Sequence, residues 1–335
     1  MEQMAELSVK RESGCFDAGT DQCPCVLALT GDCLICSRLQ GKDVCDCDWN
    51  GICPYTVFCQ NGNEIVSPRE EVTAELVERT DYSEEISVFV FRVGRSFAQS
   101  ATLPGSFVFL RPIGFERYCD IPVSVMKADE KEGTIHLAIR REGPKSKQLT
   151  QKAELVGTTC IIRGVYRSGL LGTEALKPTD LKGKKILLIT KGIGAAPAML
   201  IIDRLLTMNE KAGIPGAEIR WLADSEKVDR RLLKDYGRDV APEYISLSSL
   251  VESEELLTEI LKEEQPDVTA LMVSEYYMEQ LIRVIRKELP RTKIVRLNNA
   301  KMCCGEGLCG ACTEIGPDGS VIRRCKCRDE NGPMD

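Results

Sequence analysis

Six thiols crowd the C-terminal end of this 335-residue chain: Cys303, Cys304, Cys309, Cys312, Cys325 and Cys327. Read from Cys304, the spacing is C-x4-C-x2-C followed by a distant fourth cysteine, the arrangement of a plant-type 2Fe–2S site. Two irons bridged by two sulfides need four thiolates, and one tight loop can bring three of them to the same side. Gly305, Gly307 and Gly310 let that loop fold closely, and their amides can donate to cluster sulfurs. Cys304, Cys309 and Cys312 are therefore the loop ligands. Cys325 would return as a fourth from a strand expected at 320–323 after a turn at Gly316-Pro317-Asp318-Gly319. Structural zinc also takes four thiolates, but zinc ribbons favour two C-x2-C knuckles and only one is present here. Cys303 and Cys327 stand beside ligands and either could replace its neighbour, so the fourth position stays open between Cys325 and Cys327.

A second body of thiols precedes residue 60: Cys15, Cys23, Cys25, Cys33, Cys36, Cys45, Cys47, Cys53 and Cys59. Cys23-Pro24-Cys25, Cys33-Leu34-Ile35-Cys36, Cys45-Asp46-Cys47 and Cys53-Pro54 make Cys23, Cys25, Cys33, Cys36, Cys45, Cys47 and Cys53 the candidate ligands. Cysteine followed by proline suits iron–sulfur loops, where the ring stops a helix. Large apolar residues are few (Trp49, Tyr55, Phe58), so metal coordination must supply much of this segment's folding free energy. One four-iron cluster, two clusters, or zinc beside a cluster all remain consistent with the spacing.

Composition limits the partners. A net charge of -7 argues against nucleic acid or an anionic membrane surface. No apolar run reaches the length of a membrane span, and Met1 to Glu12 is charged rather than signal-like. The expected location is the cytoplasm, where 17 cysteines make a poor disulfide framework and a good thiolate inventory. The single histidine, His136, lies in an expected strand and reads as structural.

These ligands need positioning elements. After the cysteine-rich segment (1–68), short alternating strands at 86–93, 106–111, 121–126, 134–141 and 159–165 predict a small antiparallel barrel (70–178). From Lys184 the period changes. Strands at 186–190, 217–223, near 244–247, 268–273 and 293–297 alternate with helices near 195–211, 229–236, 253–264 and 276–289. That alternation predicts a doubly wound, Rossmann-like parallel sheet (181–299), followed by the cluster-binding tail (300–335). Gly192-Ile193-Gly194-Ala195-Ala196-Pro197 sits between a strand and a helix, where amides and a helix N-terminus can meet a phosphate.

Barrel, nucleotide-type sheet and C-terminal thiol loop, in this order, resemble the electron-transfer subunit of dihydroorotate dehydrogenase B and the small subunit of NADH-dependent ferredoxin:NADP oxidoreductase. The likeness covers roughly residues 70–335 and leaves the N-terminal cysteines unmatched. It implies a flavin and iron–sulfur oxidoreductase subunit holding FAD, a 2Fe–2S cluster and NAD(H), with a larger catalytic flavoprotein subunit, or ferredoxin, as partner in a hetero-oligomer that could bifurcate electrons. By the same likeness, Cys119-Asp120-Ile121-Pro122-Val123-Ser124-Val125 is the flavin strand, with Ser124 on the flavin edge beside Pro122. Asp120 stands where the family has arginine, and Arg117 or Arg111 is expected to compensate. Gly143-Pro144-Lys145-Ser146 is the second flavin segment, with Gly143 close to phosphate, Ser146 donating and Lys145 offsetting charge.

At the nicotinamide end the chain departs from the pattern. Thr190 and Lys191 replace glycines before Gly192 and Gly194, and Ser274-Glu275-Tyr276-Tyr277-Met278 puts a carboxylate and two rings where the family is small. Either NAD(H) binds, with Lys191 pairing the pyrophosphate, or the sheet is retained for packing and docking. The alternative from another class is a non-catalytic adaptor with a degenerate NAD site and a zinc-stabilised N-terminal module.

Overall fold

The computed structural model describes residues 14–65, 69–177, 180–212, 216–226, 229–316, 319 and 321–328. Residues 1–13, and Pro317 and Asp318 of the expected turn, lie outside them. The N-terminal segment carries two short helices, α1 (Val26–Leu29) and α2 (Pro54–Gln60), the latter started by Pro54 at its first turn. Loops make up most of the rest, as its scarcity of apolar residues requires.

The barrel is built from β1 (Glu70–Asp81), β2 (Ile86–Arg92), β3 (Phe107–Pro112), β4 (Ile121–Asp129), β5 (Thr134–Arg140) and β6 (Thr159–Tyr166). They close in the order β1-β2-β5-β4-β3-β6, with α3 (Arg95–Ser100) and α4 (Pro144–Lys152) between strands. Five of these strands match the sequence expectation to within three residues at either end. β1 does not appear in it. Five acidic residues interrupt this strand, and only Ala74 and Leu76 are fully buried, so its alternation is faint. Inside the barrel Phe89, Phe91, Leu110, Val125, Leu137 and Ile162 form the core.

The second sheet comprises β7 (Leu170–Leu171), β8 (Lys185–Thr190), β9 (Glu218–Asp224), β10 (Glu243–Ile245), β11 (Val268–Met272) and β12 (Lys293–Leu297), in the order β10-β9-β8-β11-β12-β7. β8 and β11 are nearly all apolar and buried along their length, as central strands covered on both faces must be. α5 (Ala195–Ala212) and α6 (Arg230–Tyr236) cover one face around Leu188, Met199, Trp221 and Leu232. α7 (Leu247–Glu252), α8 (Glu254–Glu264) and α9 (Glu275–Glu288) cover the other around Leu187, Leu257, Leu271 and Leu281. The sheet is parallel except for β7, which pairs antiparallel with β12. This edge comes from the segment leaving the barrel and so ties the two sheets together. The tail ends in the hairpin β13 (Thr313–Ile315) and β14 (Val321–Arg323). Among the described residues no helix is long and apolar enough to cross a membrane.

Candidate functional site

The C-terminal loop brings four of its thiols together. Cys304 contacts Cys309 and Cys325, and Cys325 also contacts Cys312, so the sulfurs run in the order Cys309, Cys304, Cys325, Cys312. Hydrogen bonding from Cys325 pushes the Cys304 thiol down to about 4 and Cys312 down to about 6, while Cys325, the shared donor, moves up. The Glu306 amide donates to Cys304 Sγ at 3.3 Å. Gly305, Gly307 and Gly310 all have φ near +75°. At Gly305 the reason is contact: a Cβ would come within 2.5 Å of the Tyr166 ring. Among the described residues no three Cys, His, Asp or Glu side chains gather as ligands of a single ion. A linked row of four thiols, divisible into Cys304/Cys309 and Cys312/Cys325, fits a two-iron cluster with two thiolates per iron. Cys327 instead forms a backbone bridge with Cys15, and Cys303 is exposed.

Two charge networks hold this loop. Asp120, buried at the start of β4, pairs with Arg111 and Arg163, each at 2.9 Å. Arg163 also donates to the Cys304 carbonyl at 3.1 Å and to Tyr166. Asp120 thus joins the strand carrying Pro122 and Ser124 to the cluster loop. Arg111 and Arg117 each pair with Glu71 at 3.0 Å, and the Asp120 charge is balanced by Arg111 and Arg163 within the barrel. The second network is a buried box. Asp17 takes Arg69 at 2.7 Å and Lys326, while Glu306 takes Arg69 at 3.0 Å and Lys326 at 2.9 Å. Burial alone would raise both carboxyls, but the two cations hold Asp17 and Glu306 below the usual range. One box therefore clamps the N-terminal segment, the approach to β1, the cluster loop and the tail. Sequence reading missed it, because its members lie up to 309 positions apart.

Between β4 and the C-terminal thiol loop lies an aromatic patch. Phe107, opposite Ser124 in the strand register, stacks on Tyr166 at 5.1 Å, and Phe109 meets Tyr166 edge-on at 5.1 Å. Met302 packs on the same patch.

Pro122, Ser124, Ser146 and Gly194 line one cavity of about 220 Å³ at the junction of barrel and sheet, with Arg140 and Pro197. It opens at the carboxyl ends of β8 and β12, where open α/β sheets take ligands. The volume suits a ring system and falls short of the 300–1,000 Å³ usual for a whole bound ligand. A larger cavity, about 490 Å³, sits at the opposite ends of the strands around Lys184, Asp267 and Lys293, away from these groups. Gly143 is the N-cap of α4 and Ser146 occupies its third position, accepting from the Glu142 and Gly143 amides and donating to the Gly143 carbonyl. Ser146 thus caps the helix whose N-terminus borders the cavity. Lys145 donates to the carbonyls of Tyr118 and Asp120.

The nucleotide-type crevice is internally paired. Lys191 Nζ lies 2.7 Å from the fully buried Asp224 carboxylate, 3.7 Å from Glu226 and over the Tyr277 ring. Asp224 also accepts from the Leu247 amide at 3.1 Å. Glu275 accepts from Asn299 at 3.1 Å. Gly192 has φ +57°. Gly194 is required by packing, since a Cβ there would meet the Met272 carbonyl oxygen at 2.1 Å. His136 bonds Tyr236, with burial driving it down to about 4, in keeping with a structural role.

No family model matches the chain. It is 23% identical over 247 residues to a probable dihydroorotate dehydrogenase B (NAD(+)), electron transfer subunit, of Methanopyrus kandleri, covering 72% of this chain and 84% of the relative. The corresponding protein of Methanothermobacter thermautotrophicus is 26% identical over 249 residues, covering 71% and 81%. Among solved structures, the NADH-dependent reduced ferredoxin-NADP oxidoreductase, described in the context of flavin-based electron bifurcation, superposes with a TM-score of 0.57 at 20% identity, over 76% of this chain and 86% of the other. The chain has the ferredoxin-reductase-like fold. Its six-stranded antiparallel barrel and mixed sheet match that fold, as the sequence resemblance implied.

Proposed function

We propose that this chain is a flavin and iron–sulfur electron-transfer subunit of a hetero-oligomeric oxidoreductase, working beside a larger catalytic subunit. The observation that carries the reading is the meeting of Pro122, Ser124, Ser146 and Gly194 around one cavity, with the four-thiol loop on the far side of the Phe107–Tyr166 patch. The names of the similar proteins, electron transfer subunits linked to NAD, support the same reading. Bound there, FAD would couple two-electron exchange with nicotinamide to one-electron exchange with a 2Fe–2S cluster.

The chain's own residues supply placement. Ser124 offers a hydroxyl to a flavin edge, and the α4 N-terminus and Lys145 border the negatively charged end of the cofactor. Cys304, Cys309, Cys312 and Cys325 hold the cluster. Arg163 keeps the Cys304 backbone fixed relative to the flavin strand, and Tyr166 and Phe109 keep water from between them. No side chain need act as nucleophile or general base. The thiol-rich composition favours the reducing cytoplasm.

The Lys191–Asp224 pair favours a second reading, in which the crevice stays closed to NAD(H) and the flavin takes electrons from the partner subunit. Anaerobically purified protein decides. Flavin released on denaturation, with about two irons at the C-terminal site, is expected. NADH bleaching of that flavin supports the nicotinamide route, and its failure leaves the conduit. Zinc without flavin overturns both in favour of an adaptor.

A further inference from the structure

Four of the nine N-terminal thiols share one cavity. Cys15, Cys23, Cys25 and Cys33 line a single cavity walled by Pro24, Leu27, Leu34, Ile35, Leu39 and Pro54. Cys45 and Cys47 lie elsewhere on the segment, with sulfurs 3.9 Å apart. The four around the cavity have the symmetric spacing C-x7-C-x-C-x7-C, which cuts across the C-x2-C pair that sequence reading emphasised. Cys15 was not among the expected ligands, since it has no thiol within seven residues of it. The fold supplies its neighbours.

This cavity abuts the C-terminal loop. Cys15 bridges Cys327, the Phe16 amide donates to the Lys326 carbonyl at 2.8 Å, and the Arg328 amide donates to the Gly14 carbonyl at 2.9 Å. A Cβ on Gly307 would touch both Leu27 of the cavity wall and Lys326. Lys326, 1% exposed, stands between the two thiol sets and follows Cys325, the fourth thiol of the C-terminal loop, in sequence. The box of Asp17, Glu306, Arg69 and Lys326 is balanced in charge, so Lys326 acts here by fixing the two thiol sets against each other.

We infer that Cys15, Cys23, Cys25 and Cys33 hold a second iron–sulfur cluster, packed directly against the C-terminal one. The four have no C-x2-C knuckle among them, which structural zinc sites favour. They surround a space rather than meeting at one ion, and its walls are apolar apart from Asp17, whose carboxylate is held by Arg69 and Lys326. The space itself is about 20 Å³, the size of one water, so the loop bearing Cys23 and Cys25 must open around the cluster as it is built. The choice of iron over zinc rests on the electron-transfer reading; the choice of these four residues does not.

The test uses the full chain, reconstituted anaerobically with ferrous iron and sulfide, and reads iron, sulfide, zinc and flavin per chain together with the EPR spectrum after dithionite. Wild type is expected to hold iron well beyond the roughly two atoms of the C-terminal cluster. Cys15→Ser and Cys25→Ser should each lose that excess and its EPR signal while keeping flavin and the C-terminal signal. Cys45→Ser/Cys47→Ser should keep everything. Cys304→Ser, which leaves the N-terminal ligands intact, should keep the excess iron and lose the other signal. Iron limited to about two per chain in wild type, zinc as the metal lost from Cys15→Ser, or excess iron that follows Cys45 and Cys47 each overturns the inference. Absence of flavin would instead sink the electron-transfer reading, and the iron difference between variants would still be legible.

Discussion

The nucleotide-type crevice and the cluster loop are both lined with charge, yet they use it differently. In the crevice, Lys191, Asp224 and Glu226 come from neighbouring strand ends of one sheet and satisfy one another locally. Around the cluster loop, Asp17, Arg69, Glu306 and Lys326 come from four separate stretches of chain, and each pairs with partners from others. Local pairing fills a ligand's place. Long-range pairing fixes where segments sit. The first arrangement can be displaced by an anionic ligand; the second holds only while every segment is docked.

Five measurements would break or sharpen this contrast. The largest effect belongs to Cys312→Ser, which should abolish the C-terminal cluster, read as loss of about two irons per chain and of its EPR signal. Next comes Lys326→Met, which leaves Asp17 and Glu306 facing each other through Arg69 alone. Removing one member of a buried ion pair costs about 3–5 kcal/mol, measurable by urea denaturation of the metal-free chain. The same box sets an acid dependence. Asp17 and Glu306 have folded values below their unfolded ones of about 3.9 and 4.3. The unfolded chain therefore binds protons first, so the box's contribution is complete above that range and declines as pH falls through the folded values. Asp17→Asn should flatten the acid limb of a Tm-against-pH curve.

In the crevice the effect is smaller and opposite in sign. Asp224→Asn frees the Lys191 ammonium for a pyrophosphate, and NADH affinity should rise about tenfold, roughly 1.4 kcal/mol, in a flavin-reduction titration. No rise would mean that the local pairing is no barrier to the ligand. Smallest is Ser124→Ala, where losing one hydrogen bond of about 1 kcal/mol should weaken flavin retention about fivefold in equilibrium dialysis.

Much of this was legible in the sequence, for identifiable reasons. β8 and β11 are continuous apolar runs, and the C-x4-C-x2-C spacing is local, so each could be read from a short window. Ser124 and Ser146 could be placed in one site only through the resemblance, because 21 intervening residues separate them and their meeting depends on how the barrel packs on the sheet. β1 was hidden by its acidic residues. The charge box, the grouping of Cys15 with Cys33 and the balancing of Asp120 by Arg163 are tertiary facts. Nothing in Asp120's neighbourhood names Arg163, 43 residues away, as its partner. The carboxylate that stands where the resemblance expects arginine ties the barrel to the C-terminal loop through Arg163.

The short connector after β6 carries a mechanical consequence. Ser168 donates to the Cys325 carbonyl at 2.7 Å, and Asn298 bridges the Ser168 and Arg324 carbonyls at 2.7 and 3.0 Å. The joint between the two halves of the molecule is therefore laced by the very tail that bears the fourth thiol. Swinging one half against the other would tug on that sulfur, so stiffness of the joint and constancy of the four-thiol geometry are a single property.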